Sequence, residues 1–328
     1  MTEVTNPEEI WNKYSDHNQK KPWLVISVIG DSNSFVPTTW EKTLFQTSLI
    51  ETAKGAKECW ILYKGDKGKL SESIRQAVEN FNIRHKAEMS KKSKGKVNLE
   101  MWRNSEMPNI KLISMNTAIE ASDKKDCDFE VSEDKYMEIW VELLKRIGKQ
   151  RVKIMKLQQN LTIRIPVVVM VAEGDIKTIR HVEQTLKKGL PIVVVKGSGK
   201  AADVISGYLC DGEDVLKERA PLLFGTYTQH DEYSKLEKQM KSIKDHRHLI
   251  SIFNANDTKQ RPLSDITSEA IIRAWARDEP GSVNKEEQRQ ELTTSMPSNN
   301  AFDLYAMPNL ENIASKCFHT LDEGPPWP

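Results

Sequence analysis

Two apolar runs without polar alternation, residues 167–172 and 192–195, mark the most regular stretch of the chain. Such runs suit strands covered on both faces in a parallel sheet. Each ends in glycine with a helix-forming segment behind it. Gly174-Asp175 follows the first run, with Asp175 placed as an N-cap, and Gly197-Ser198-Gly199-Lys200 follows the second, ahead of a helix opening at Ala201. Residues 163–205 therefore predict a βαβα unit. Shorter apolar runs at 24–29, 59–63, 110–115 and 249–254 predict further strands. Apolar spacing of three and four predicts helices at about 39–54, from about 70 to Phe81, and at 136–159, 234–244 and 263–276. The alternation of strands and helices predicts an α/β fold: a Rossmann-like, doubly wound, mostly parallel sheet with helices on both faces.

The polar stretches suggest how this domain is bounded. Residues 1–21 read as a loose lead-in, although Trp11 and Tyr14 could instead dock a short helix, and 22–277 as the α/β domain. Within it, 84–96 carries Arg84, His85, Lys86, Lys91, Lys92, Lys94 and Lys96 and reads as a solvated basic loop. Residues 116–134 form an acidic and lysine-rich excursion, and 207–234, with Gly212, Pro221 and Gly225, a linker. From 278 to 328 the chain is rich in Gln, Glu, Ser, Asn and Pro, which predicts a disordered or docking tail.

Composition then removes whole classes of function. A chain of 328 residues can bury a large core. Lys+Arg 48 against Asp+Glu 47 leaves a formal charge of +1, so no global field points to nucleic acid. No run reaches the length of about 18 apolar residues that a membrane span needs, so direct insertion and ion conduction by this stretch are not predicted. Cys59, Cys127, Cys210 and Cys317 have no CxxC spacing, which argues against zinc or disulfides and for a reducing cytosol, and Cys59 reads as core. His246-Arg247-His248 reads as a surface basic cluster, and neither a metal nor a cofactor is predicted.

The candidate chemistry lies in the glycine turns. Glycine lets backbone N–H groups come close to a ligand, and a helix start adds unpaired donors and partial positive charge, so an anion such as phosphate suits these turns. Gly197-x-Gly199-x-x-Ala202 matches the permissive form of the dinucleotide fingerprint, but it sits on a late strand with no acidic strand end about 20 residues on. It is no P-loop either, since Lys200 is followed by Ala201. Tight turns without ligand therefore remain an open alternative. Gly30-Asp31-Ser32 and Gly65-Asp66-Lys67-Gly68 end two earlier strands. Asp31 puts a carboxylate where a phosphate would sit, and Lys64, Lys67 and Lys69 either serve phosphate or solvate their loop.

The segment IPVVVMVAEGDIKTIRHVEQTLKKGLPIVVVKGSGKAADVI resembles the second half of the amino-terminal SLOG domain of TRPM cation channels. That family runs Pro-Val-Val, Glu-Gly-Gly, helix, Pro-Val-Val-Val, then Gly-Ser/Thr-Gly-Arg-Ala-Ala-Asp. The upstream Lys21-Pro-Trp-Leu-Val-Ile-Ser-Val-Ile-Gly30 is similar to its first strand, residues 97–102 to a further strand running Ile-Gly-Ile-Ala-Pro-Trp, and LISIFNANDTKQRPLSDITSEAIIRAW to the segment after its core. The resemblance covers most of 22–275 and implies a cytosolic module, either of a longer channel or free-standing.

It further implies an ADP-ribose-like nucleotide held by Gly30, Ser32, Gly65, Lys67, Gly68, Gly174, Asp175, Gly197, Ser198, Gly199 and Lys200. It equally implies an architectural role, packed on channel subunits or in a homo-oligomer. Lys200 stands where the family commonly has arginine and lacks the planar fork. Nucleotide-cleaving relatives use a Pro-Gly-Gly-x-Gly-Thr-x-x-Glu motif. No PGG occurs here and Glu173 precedes its glycine, so an enzyme is not predicted.

Overall fold

The computed structural model describes residues 6–15, 21–30, 42–66, 68–94, 108–117, 128–156, 159–224, 230–257 and 259–278. In chain order the strands are β1 (Leu24–Ile29), β2 (Glu58–Lys64), β3 (Asn109–Thr117), β4 (Phe129–Val131), β5 (Arg151–Lys156), β6 (Gln159–Arg164), β7 (Val167–Val171), β8 (Ile192–Lys196) and β9 (Ile250–Asn254). Seven of them form one sheet in the order β4-β3-β2-β1-β7-β8-β9. Every neighbouring pair in it is parallel. The chain winds outward from β1 to one edge, returns to β7 beside β1, and winds to the other edge. This is the doubly wound arrangement that the unbroken apolar runs predict.

The helices are α1 (Pro7–Ser15), α2 (Lys42–Lys54), α3 (Lys69–Lys94), α4 (Tyr136–Lys149), α5 (Ile176–Lys187), α6 (Lys200–Asp211), α7 (Asp214–Phe224), α8 (His230–Asp245) and α9 (Leu263–Asp278). Strand periodicity sorts the core into two layers. Val25, Ile29, Val167, Val169, Val171, Ile192 and Val194 face α1 and α4 to α8, whereas Leu24, Ile26, Val28, Val168, Met170, Val193 and Val195 face α2, α3 and α9. Each fully buried Val, Leu or Ile contributes about 1.5–3 kcal/mol by leaving water, so the central strands anchor the molecule. Ser27, the polar residue on β1, is satisfied because Trp140 Nε1 donates to its hydroxyl at 2.8 Å.

Five expectations are corrected. Within 1–21, residues 7–15 are a docked helix rather than a loose lead-in. Asn6 caps it by accepting from Glu8 N at 2.9 Å. Ile10, Trp11 and Tyr14 repeat at helical spacing and bury against Trp60 and Phe129. Within 84–96, the helix α3 continues to Lys94. The segment is basic, but it contains no Gly or Pro before Gly95 to stop a helix already nucleated on Leu70, Ile74, Ala77 and Val78.

Within 116–134, Phe129–Val131 is the edge strand β4. Phe129 and Val131 supply two apolar anchors, 3% and 1% exposed. The long helix expected over 136–159 ends at Lys149 and gives way to the antiparallel hairpin of β5 and β6, because the pattern from Val152 onward changes from period 3.6 to period two. Where a linker is expected over 207–234, the described residues are the end of α6, all of α7 and the start of α8, and 225–229 lie outside the described residues. Residues 97–102 and 279–328, with the expectations for them, lie outside the described residues. Cys59 is buried as expected, and Cys210 is exposed.

Candidate functional site

In an open α/β sheet the crevice for a ligand lies beyond the carboxyl ends of the strands where the winding reverses, here between β1 and β7. The predicted glycine turns gather along this edge: Gly30 after β1, Gly65 and Gly68 after β2, Gly174 after β7, and Gly197 and Gly199 after β8. Ser32 and Lys67 lie outside the described residues.

Gly30 has φ +122°, and a Cβ placed there would meet the Ala172 carbonyl oxygen at 2.1 Å. The glycine is needed because two backbones touch at the switch point. A Cβ at Gly174 would stand 2.7 Å from the Thr178 side chain, and one at Gly197 would stand 2.5 Å from Asn256 Nδ2. These three glycines make room for the protein's own atoms.

The donors at these turns are largely engaged. Gly65 N donates to Met115 O at 3.1 Å, and Gly68 N to Asp66 Oδ1 at 3.0 Å. Gly197 N donates to Asp203 Oδ1 at 2.6 Å. Ser198 N donates to Val195 O at 3.3 Å. The Ser198 hydroxyl, fully buried, donates to Val195 O at 2.6 Å and accepts from Glu173 N at 2.9 Å. In the first turn of α6, Ala201 N donates to Gly174 O at 3.3 Å and Ala202 N to Glu173 O at 3.0 Å. The helix start is thereby tied to the turn after β7.

Asp175 is the N-cap of α5, as predicted. Its carboxylate accepts from Thr178 N at 3.0 Å, and Thr178 Oγ1 in turn accepts from Asp175 N at 3.1 Å, a reciprocal capping box. Asp66 does similar work after β2: it accepts from Gly68 N and, at 2.9 Å, from the Ser71 hydroxyl, and pairs with Lys64 at 2.8 Å. Each of three strand-end turns thus carries its own carboxylate at the backbone donors where an outside anion would dock.

Among the described residues, Glu173, Lys200 and Lys42 bring charge to the switch point, and Asp31, with the expectation for it, lies outside the described residues. Glu173 is 1% exposed with φ +58°, and Lys42 Nζ stands 3.4 Å from its Oε1. Lys200 is 3% exposed with φ +45°. Burial pulls its ammonium below the ordinary lysine range, against the pull of the Glu173 and Asp175 carboxylates. Burial pushes the Asp203 carboxyl upward, opposed by its hydrogen bonds from Gly197 and Gly199 and by the charges of Arg219 and Lys196. Positive φ at two non-glycine residues facing one crevice is stored strain of the kind that gathers at functional sites.

Sequence reasoning named Asp175, Lys200 and the glycines but missed Lys42, Asp66 and Asp203 as partners of the turns, and it weighed Glu173 only against a hydrolase motif. A signal for the aspartates was available, since Asp66 lies two residues before Gly68, and Asp203 lies four after Gly199 in the first turn of its helix. No such signal exists for Lys42, which comes from a different unit of the fold.

Among the described residues, no helix is long and apolar enough to cross a membrane, and no cluster of three or more His, Cys, Asp or Glu could hold a metal ion. His246 and His248 stack on each other, their ring centroids 6.3 Å apart, around a 3-10 turn rather than on a strand.

Residues 137–214 match the family model described as SLOG in TRPM. The chain is 23% identical over 299 residues to transient receptor potential cation channel subfamily M member 2 of Mus musculus, covering 81% of this chain and 19% of the channel. It is 21% identical over 286 residues to member 5 of the same subfamily from Homo sapiens, covering 77% of this chain and 23% of the channel. Over a shorter stretch of 127 residues it is 31% identical to the trpm channel of Drosophila melanogaster, covering 35% of this chain and 6% of the channel. The chain therefore spans about a fifth of the length of such relatives.

Proposed function

From the premise that the chain belongs to the family of SLOG domains found in TRPM channels, we propose that it is a non-enzymatic, cytosolic regulatory module of a TRPM-type cation channel. In this reading it acts by packing on channel subunits or on a second copy, with its switch-point crevice closed by its own side chains. One observation carries the reading: the backbone donors of Gly65, Gly68 and Gly197, which a phosphate would need, are already bound by Met115, Asp66 and Asp203. A ligand would have to displace internal hydrogen bonds that are already well formed.

The second reading is a sensor of ADP-ribose or a related nucleotide. It is favoured by two buried or half-buried lysines, Lys42 and Lys200, at the crevice between β1 and β7, together with strained backbone at Glu173 and Lys200. Calorimetric titration of the chain with ADP-ribose separates the two. The closed crevice gives no heat and no thermal shift at millimolar ligand. Micromolar binding that Lys200→Ala weakens by about 1.5–3 kcal/mol, the range for hydrogen bonds to charged groups, would move the assignment to the sensor.

A further inference from the structure

At the amino-terminal edge of the sheet, opposite the crevice, the hairpin of β5 and β6 leads into β7 and stands outside the seven-stranded sheet. Its charge has one sign: residues 149–164 contain Lys149, Arg151, Lys153, Lys156 and Arg164 and no Asp or Glu. Register sorts these charges by face. Val152 and Ile163 are partners across the hairpin and pack into the core layer of α1 and α4 to α8. Arg151 and Arg164 are the neighbouring partner pair, so they share the opposite face, and Lys153 follows Arg151 on it. Arg151 and Lys153 are exposed and Arg164 is half-buried. Like charges directly opposite each other in a sheet repel. Among the described residues no carboxylate pairs with Arg151 or Lys153, so this face calls for an anionic partner.

The Arg164 guanidinium marks where that partner comes from, because it lies 5.9 Å from the centre of the Trp275 ring. Trp275 stands in the last turn of α9 and packs on the other core layer. The cationic face is therefore turned toward the helix after which the chain continues into residues 279–328. Those residues carry eight Asp or Glu against three Lys or Arg, and Glu279, Glu286, Glu287 and Glu291 come first among them. Rival segments fit less well. Residues 118–127 follow β3 at the carboxyl edge of the sheet, whereas 95–107 precede it at the amino edge but balance Glu100 and Glu106 with Lys96 and Arg103. A second copy of the hairpin would bring only more positive charge.

We propose that the acidic segment from Glu279 to Glu291 docks on the cationic face of the β5–β6 hairpin as an intramolecular cover held by charge. Its tether at Asp278 gives it a high effective concentration at this face, so no other chain need supply the anion. The docking is independent of whether the crevice at the opposite edge is open or closed.

The test is zero-length carbodiimide cross-linking of the full chain, as a dilute mixture of unlabelled and isotope-labelled protein, with the linked peptides identified by mass spectrometry. The expected result is links within single chains from Lys149 or Lys153 to Glu279, Glu286, Glu287 or Glu291, falling at least about fivefold at high salt. Arg151→Glu, at an exposed position and with its fold checked by circular dichroism, should lower the Lys153 links by a similar factor. Combining it with Glu286→Lys and Glu287→Lys should restore the links to Glu279 and Glu291. The proposal is overturned if no such links form, or if they join only labelled to unlabelled chains, which would make the occupant a second copy's segment. It is equally overturned if they withstand both salt and Arg151→Glu, since the tether alone would then explain them. The salt comparison on the unaltered chain decides the matter should the variant fail to fold.

Discussion

The sheet has two halves, β1 to β4 on one side of the switch point and β7 to β9 on the other, and their carboxyl edges are held in different ways. In the β7–β9 half the turns are stitched to each other: Glu173 N to Ser198 Oγ, Ala202 N to Glu173 O, and Ala201 N to Gly174 O. In the β1–β4 half the turn after β2 is stitched to itself through Asp66 and sideways to β3, where Asn116 Nδ2 donates to Gly65 O at 3.2 Å. The Asp66 carboxylate has a lysine beside it at the surface. The Asp203 carboxylate is half-buried, and burial raises its pKa. At the carboxyl edge the halves meet at the Gly30–Ala172 contact and the Lys42–Glu173 pair. On one face beneath that edge, Trp140 bridges them, bonded to Ser27 of β1 and packed edge-on against His181 of α5. A turn that depends on its neighbours should be costlier to damage than one that closes on itself.

The largest effect is expected at the junction of the halves. Gly30→Val sets a branched side chain at φ +122° against the Ala172 carbonyl, and should cost roughly 4 kcal/mol, at the severe end for single substitutions. A denaturant midpoint close to that of the unaltered chain would mean that the halves do not depend on this contact.

Next comes the Trp140 bridge. Burial holds the His181 imidazole down at about 4 from its ordinary 6.5, so it is neutral in the folded protein near neutral pH. As pH falls from about 6.5 to about 4 the unfolded chain takes up a proton that the folded chain refuses, and stability declines. Below that window the loss levels off. The pKa difference corresponds to about 3 kcal/mol, and chemical denaturation across this range should register it. In His181→Leu the decline should shrink by that amount; an unchanged profile would assign it to other groups.

Comparison of the two aspartates comes third. Asp203→Ala leaves the Gly197 donor without its acceptor and should cost about 2 kcal/mol, whereas Asp203→Asn, which keeps an oxygen in place, should cost far less. Asp66→Ala should cost about 1 kcal/mol, in the range for loss of a cap, because the Ser71 hydroxyl keeps its bond to Lys64 O and only the Gly68 donor loses its acceptor. Thermal melts that rank Asp66→Ala as the costlier change would invert the contrast between the halves. The smallest effect is expected at Lys64→Ala, about 0.5 kcal/mol or less and vanishing at high salt, since its ion pair with Asp66 is partly exposed.

The central unit was legible because its signals are local. Unbroken β-branched runs, a glycine after each strand and an N-cap aspartate all agree over residues 163–205, and the strands, capping box and helix starts fall there. The regions misread are those where local and tertiary signals compete. Residues 7–15 are mostly polar, and Ile10, Trp11 and Tyr14 have value only once Trp60 and Phe129 are beside them. The α4 pattern runs on toward an apparent long helix until β6 supplies a partner for β5. Charge in the second half of α3 suggested a loop, although charge alone does not break a helix.

The sequence by itself determined the fold class, the parallel strands and the positions of the glycine turns, because periodicity and turn chemistry are written in neighbouring residues. Which acceptors those turns use was decided by the tertiary structure. Hydrogen bonds join residues such as Gly65 and Met115, and an ion pair joins Lys42 and Glu173, across separations that no local pattern encodes. A glycine turn in sequence offers donors. The folded chain determines whether those donors face a ligand or the protein's own atoms, because a buried N–H takes the acceptor that packing brings within reach.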